Sequence, residues 1–234
     1  MYNTKHNTKQ LWIVSFDIGY KNFSFHIEAF STESLYVFMK TLPPSTEADY
    51  NKDGTPSQRT ASILNHLYST GKTVLHLNEV VSDIFHPTNT CHDLTDILDK
   101  YIFWWDRCSF FVIEKQMNFK RAKNPKALKL GQHCQSYFML RYGRSRHIIE
   151  FPAFHKTIVL GCKKIRSKKG VCKYKTIDKP SRKIWSIGKA KYILRLRGEH
   201  TSEILTTTKK LDDLSDTLLQ NIAFIYKVFV DKSF

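Results

Sequence analysis

The stretch Leu11 to Phe30, LWIVSFDIGYKNFSFHIEAF, decides the fold. Leu11, Trp12, Ile13, Val14 and Phe16 form a short apolar run of strand formers, as in a strand buried on both faces. Asp17 ends the run and Gly19 follows it, which predicts a tight turn into a second strand. From Asn22 to Phe30 the residues alternate, with Phe23, Phe25, Ile27 and Ala29 on one face and Ser24, His26 and Glu28 on the other. That period predicts a half-buried strand. A carboxylate at the end of a buried strand is costly unless it caps a turn, pairs with a cation or holds a metal. Asp17 therefore asks for a partner elsewhere in the chain.

Working outward, Leu35 to Lys40 (LYVFMK) reads as a third short strand, and Thr41 to Pro56 as a loop. Ser57 to Tyr68 has helical spacing and Gly71 is its stop. Val74 to Val81 fits either a strand or the end of that helical region. Asp93 to Trp105 predicts one amphipathic helix, with Leu94, Ile97, Leu98, Tyr101, Ile102 and Trp105 on its apolar face. Phe110 to Ile113 is a buried strand that runs into Glu114. A helix from Pro125 to about Tyr142 follows, then a short strand at His147 to Phe151. The last helix spans Lys209 to Val230 and begins with Asp212, Asp213 and Asp216.

The chain has 234 residues, with 37 Lys and Arg against 21 Asp and Glu, for a net charge of +16. This balance favours a polyanionic partner, nucleic acid before an acidic membrane surface. Residues 156–197 hold fifteen Lys or Arg and a single acid, Asp178. They read as a basic elaboration, first a loop or ribbon and then a helix from Ser181 to Arg197. The rest, from residue 11 to 234, reads as one domain behind an N-terminal tail of residues 1–10. Five scattered cysteines give an odd count with no disulfide framework, which points to a reducing compartment. No apolar run approaches the ~20 residues of a membrane span. The polar, basic tail lacks the apolar core of a secretory signal and is short for a mitochondrial transit peptide. His86, Cys91 and His92 match no common zinc spacing.

Asp17, Glu114, Asp213 and Asp216 all sit where regular elements end or begin. Each alone has an ordinary explanation: Asp17 in a turn, Glu114 paired with a lysine such as Lys115, the last two at a helix N-terminus. Asp213 and Asp216 lie three apart, on one helical face. Brought together, such acids repel one another unless they hold hard divalent cations such as Mg²⁺ or Mn²⁺. Two such ions about 3.5–4 Å apart activate water and stabilise the leaving oxygen of a phosphodiester. Carboxylates within a basic chain are the charge pattern of a nuclease.

The segments VSFDIGYKN (14–22), FVIEKQ (111–116) and KKLDDLSDTLLQ (209–220) resemble the three motifs of the RuvC-like Holliday junction resolvases. The resemblance is nearest to the branch of poxviruses and related large DNA viruses, with kinship to the fungal mitochondrial resolvases. It implies a ribonuclease H-like α/β fold, a mixed five-stranded sheet with helices on both faces. It also implies a homodimer that makes paired symmetric nicks in branched DNA, with Mg²⁺ or Mn²⁺, two ions per site, held by Asp17, Glu114, Asp213 and Asp216. No small-molecule cofactor or membrane is expected. Viral replication in the host cytoplasm or nucleus is the implied setting, with the mitochondrion as the alternative. Asp212 precedes Asp213, so either can be the first ligand of the last helix. The expected DNA contacts are Lys115, Lys120, Arg121, Lys123, Lys163, Lys164, Arg166, Lys168 and Lys169. Two rivals stand beside this reading: a nuclease of the same fold acting on forks, flaps or hybrids, and a non-catalytic junction-binding protein.

Overall fold

The computed structural model describes residues 10–45, 47–116, 118–119, 122–167, 173–200 and 211–234. The decisive stretch folds as a hairpin, β1 (Leu11–Ile18) and β2 (Asn22–Phe30), closed by Gly19 N–H donating to Asn22 O. β1 pairs with β2 antiparallel and with β4 (Phe110–Lys115) parallel. β3 (Lys72–Val80) joins β2, and β7 (His147–Pro152) joins β4 in parallel. The result is the expected five-stranded mixed sheet, in the order β3-β2-β1-β4-β7. Two short ribbons lie outside it: β5 (Asn118–Phe119) with β6 (Ala122–Lys123), and β8 (Ile165–Arg166) with β9 (Tyr174–Lys175).

Helices cover both faces. On one lie α3 (Asn89–Lys100), α4 (Ile102–Trp105) and α5 (Pro125–Tyr142), packed on Val14, Phe16, Phe111 and Ile113. The other face, with Ile13 and Val112, carries α1 (Thr32–Thr41), α2 (Gln58–Thr70) and α6 (Phe154–Val159). It also carries α7 (Lys179–Leu196) and α8 (Leu211–Ile225), the latter continued by a wider turn over Tyr226–Val230. Strand alternation puts Ser15 and Asp17 on the face of Ile13, and Glu114 on the face of Val112. Both acids therefore look toward α8.

Four expectations change and one alternative is settled. Leu35 to Lys40 is helix α1, because Ser31 caps it by accepting from Ser34 N–H at 3.1 Å. Leu35, Phe38, Met39 and Leu42 supply its packed stripe while Val37 faces out. Val74 to Val81 resolves as strand β3. The helix over Asp93 to Trp105 is two helices broken at Tyr101. β2 is buried on both faces, since α8 and α7 cover its polar side. There Asn221 of α8 donates to His26 O at 2.9 Å, and Arg197 meets Glu28 at 2.7 Å with both side chains 1% exposed. Burial lowers the pKa of His26 and His76 well below the usual histidine range, so both stay neutral. Residues 156–197 form core as well as surface, because Ser186, Ala190, Ile193 and Leu194 of α7 are buried.

The last helix is fastened to the sheet by side chains rather than by apolar contact alone. Gln220 donates to Val112 O at 2.9 Å and Asn221 to Ile13 O at 3.3 Å, while Ser15 Oγ donates to Thr217 O at 2.6 Å. His76 Nε2 lies 2.9 Å from Leu214 O. These bonds satisfy buried polar groups that would otherwise be costly, and they set the height of α8 over β1 and β4.

Two glycines give opposite tests of this packing. A Cβ on Gly71 would overlap Glu28 Oε1 and the Arg197 guanidinium. Gly71→Ala is expected to split that buried pair and cost about 3 kcal/mol. Gly188 lies inside α7 with open space where its Cβ would be, so Gly188→Ala is expected to stabilise by about 0.5–1 kcal/mol. Urea denaturation of the two variants beside the parent reads both signs.

Candidate active site

β1 and β4 run parallel with Phe16 opposite Ile113, so Asp17 and Glu114 stand side by side one step beyond that pair. α8 begins over the same end of the sheet and brings Asp216 down to them. Carboxylate oxygens of Asp17, Glu114 and Asp216 all lie within 4.8 Å of one another. Among the described residues this is the group of three or more potential metal ligands. Asp213 lies outside that tight set but near enough for its charge to act on Asp17. Asp212 pairs with Lys183 of α7, which draws it away from the three carboxylates.

The cluster contains a residue the sequence did not single out. Lys156, the third residue of α6, is 5% exposed. Its ammonium donates to Glu114 Oε2 at 2.8 Å and lies 3.1 Å from Asp216 Oδ2. In the sequence it was the first of a long series of lysines and carried no signal of its own. Its position after β7, the strand beside Glu114, was the available clue.

Burial, and next the charge of Glu114, push the Asp17 carboxyl well above the usual carboxylate range. Lys156 opposes this, while Asp213 and Asp216 add to it. Burial by itself would lower Lys156, but Glu114, Asp216 and Asp17 outweigh it and hold the ammonium charged. The donor set is all carboxylate oxygen, which suits a hard divalent cation. A cation charge already stands among the acids in the form of Lys156. The residues thus fit Mg²⁺ or Mn²⁺, with Asp17, Glu114 and Asp216 as its holders.

The remaining expected site residues are dispersed. Lys115 is exposed at the end of β4. Lys163 is exposed and lies 3.7 Å from Asp53. Lys164 lines a small cavity, and Arg166 is exposed in β8. Lys123 is placed through its backbone in β6. Lys120, Arg121, Lys168 and Lys169 lie outside the described residues. Among the described residues, no helix is long and apolar enough to cross a membrane.

No family model matches the chain. It is 28% identical to uncharacterized protein 170L of Invertebrate iridescent virus 6, over 96% of this chain and 92% of that protein. It is also 28% identical to uncharacterized protein 97L of Invertebrate iridescent virus 3, over 88% of this chain and 95% of that one. The fold is similar to that of Fowlpox virus resolvase in a complex with substrate Holliday junction DNA, with a TM-score of 0.53. That likeness covers 93% of this chain and 99% of the resolvase at 16% identity, and it establishes the shared fold.

Lys156→Met removes the one ammonium among the acids. The metal-free variant is expected to lose about 3 kcal/mol at pH 7. The sign with pH follows from Asp17. Its pKa is raised on folding, so the folded state binds more protons than the unfolded chain above the ordinary carboxylate range. Stability of the metal-free cluster therefore falls as pH rises through that window. The deficit of Lys156→Met shrinks as the pH is lowered toward 4. Urea denaturation at several pH values measures it, and a deficit independent of pH contradicts this account.

Proposed function

We propose that the protein is a metal-dependent, structure-selective DNA endonuclease that cuts four-way junctions by paired nicks. One observation carries the reading: in a chain of net charge +16, carboxylates from β1, β4 and α8 converge within 4.8 Å. A protein that only bound DNA would gain nothing from concentrating negative charge at a point of its surface. The fold shared with a viral resolvase in complex with junction DNA supports the same reading, and the viral relatives fit a substrate arising in viral DNA replication.

On this reading Asp17, Glu114 and Asp216 hold the first divalent ion, and Asp213 joins them toward a second. Bound there, the ions supply a deprotonated water and neutralise charge on the leaving 3′-oxygen. The side chains do the positioning. Lys156 keeps Glu114 and Asp216 in one orientation, at 2.8 and 3.1 Å. Gln220 and Ser15 fix the height of α8 and with it Asp216. No side chain of the cluster is the nucleophile, so the attacking group is water. Lys115, Lys163, Lys164 and Arg166, with Lys120, Arg121, Lys123, Lys168 and Lys169, hold the flanking backbone. A four-way junction presents two equivalent strands, and paired cutting needs two such sites, so the working unit is a homodimer.

The test is a synthetic junction, labelled on each strand in turn, incubated with Mg²⁺ or Mn²⁺ and run on a denaturing gel. The expected result is symmetric nicks in two opposing strands. Asp216→Asn is expected to reduce cutting by about a hundredfold or more, with junction binding kept or tightened. Preferred cutting of forks, flaps or hybrids keeps the metal site and moves the substrate. Binding without cutting overturns the enzyme reading.

A further inference from the structure

Beside α6, on the basic part of the chain, lies a cavity of about 110 Å³. Its wall is made by Tyr50, Asn51, Thr157, Lys164, Thr176 and Arg182, among others. The residues come from the loop before α2, from α6, from the segments flanking the β8–β9 ribbon and from the first turns of α7. Sites that take a whole small molecule run to roughly 300–1,000 Å³. A cavity this small admits one functional group of something larger.

The charges say which group. Lys164 and Arg182 line the cavity, and neither forms an ion pair among the described residues. Their neighbours do: Lys163 meets Asp53 and Lys183 meets Asp212. Asp178 caps α7, its carboxylate accepting from Ser181 N–H at 2.9 Å, and lies near enough for the charge of Arg182 to act on it. Part of the polar wall is already committed. Tyr50 O–H donates to Val159 O at 2.9 Å, Thr157 O–H donates to Phe154 O at 2.9 Å, and Asn51 donates to Thr55 Oγ1 at 3.0 Å. These bonds hold the wall in place, and Lys164 and Arg182 are the cationic side chains of its lining. Gly54 completes the rim with φ +84°, a conformation glycine adopts freely, and its backbone lies against the side chain of Lys164. A space of this size lined by an arginine and a lysine suits a phosphate group.

We propose that this cavity seats one backbone phosphate of the bound DNA, close to the strand being cut. The inference rests on the DNA-cleaving reading and adds a defined subsite to it. Thr157 and Ile158 of the cavity follow directly on Lys156, whose ammonium stands among the acids. A strand held at the cavity is thereby anchored to the short helix that also carries the charge balance of the acid cluster. Lys164 and Arg182 set the register of the strand against the acids, and base identity does not enter, because phosphate contacts carry no sequence information.

The test uses the full chain and a four-way junction carrying one uncharged methylphosphonate at successive positions around the expected cut, with binding measured without divalent ions. For the parent, one position is expected to weaken binding about tenfold, as loss of a charge-assisted contact does. In the double variant Lys164→Gln, Arg182→Gln, that position loses its effect. The slope of log affinity against log salt also falls by about 1. Arg144→Gln, at the far end of the sheet, serves as the charge control and leaves the slope alone. An unchanged slope and an unchanged methylphosphonate pattern in the double variant overturn the proposal. So does inorganic phosphate shifting the NMR signals of Thr157 and Thr176 while the junction data stay as in the parent, since the cavity is then a site for a free anion. Absence of junction binding by the parent overturns this inference and the proposed function together. The expected pattern without strand cutting in Mg²⁺ or Mn²⁺ leaves the subsite standing and removes the nuclease reading alone.

Discussion

Three carboxylates within 4.8 Å of one another are the constraint on which the rest of this structure depends. With all three ionised, each pair would repel by about 3 kcal/mol at an effective dielectric near 20. Three such pairs together approach the whole stability of a domain. The protein answers in two ways. It buries an ammonium, Lys156, against two of the acids, and burial beside Glu114 raises the pKa of the third, Asp17, which eases its protonation. Both answers are substitutes for a cation. On the proposed reading a divalent ion competes with protons for these carboxylates, so its affinity rises with pH.

Convergence of the acids depends on register. Asp17 and Glu114 meet because β1 and β4 pair in parallel with Phe16 opposite Ile113. A slip of one residue would send one carboxylate to the opposite face, among Val14, Phe111 and the aromatic rings that pack there. Gln220 and Asn221 prevent the equivalent error for α8 by donating to strand carbonyls, and Ser15 and His76 by donating to carbonyls of α8 itself. Apolar packing alone tolerates sliding, while a buried amide has few places where its bonds are satisfied. The motif Asp213-x-x-Asp216 and the amides four and five residues after Asp216 therefore belong to one device, acids on one side of the helix and anchors further along it.

How much of this was legible depended on whether a residue announced itself locally. Asp17 and Glu114 interrupt apolar runs, and the acids of α8 precede a long apolar stripe, so their places were readable. Lys156 was hidden because its significance lies in contacts 42 and 60 residues away in sequence, and a lysine among lysines carries no local pattern. The polar face of β2 was misread for a related reason. Alternation reports which residues are apolar, and Ser24, His26 and Glu28 are buried through partners that come from β3, α7 and α8. Leu35 to Lys40 failed differently: its strand-forming residues outvoted Ser31 and Glu33, which mark a helix start, and in the fold the cap prevailed.

The placement of charge gives a last step. A basic chain draws DNA toward its surface from any direction, but the acids at the end of β1 and β4 oppose that attraction at one point. On the proposed reading, Lys156 and the raised pKa of Asp17 reduce the opposition in the metal-free protein, so binding and cutting need not share one requirement. DNA can be held by the basic surface while the acids wait for ions. On that reading, bound ions would turn the same point from mildly repulsive to attractive for the scissile phosphate. On the proposed reading, the ammonium of Lys156, held at 2.8 and 3.1 Å from Glu114 and Asp216, is thus what keeps the acid cluster tolerable to DNA before the ions arrive.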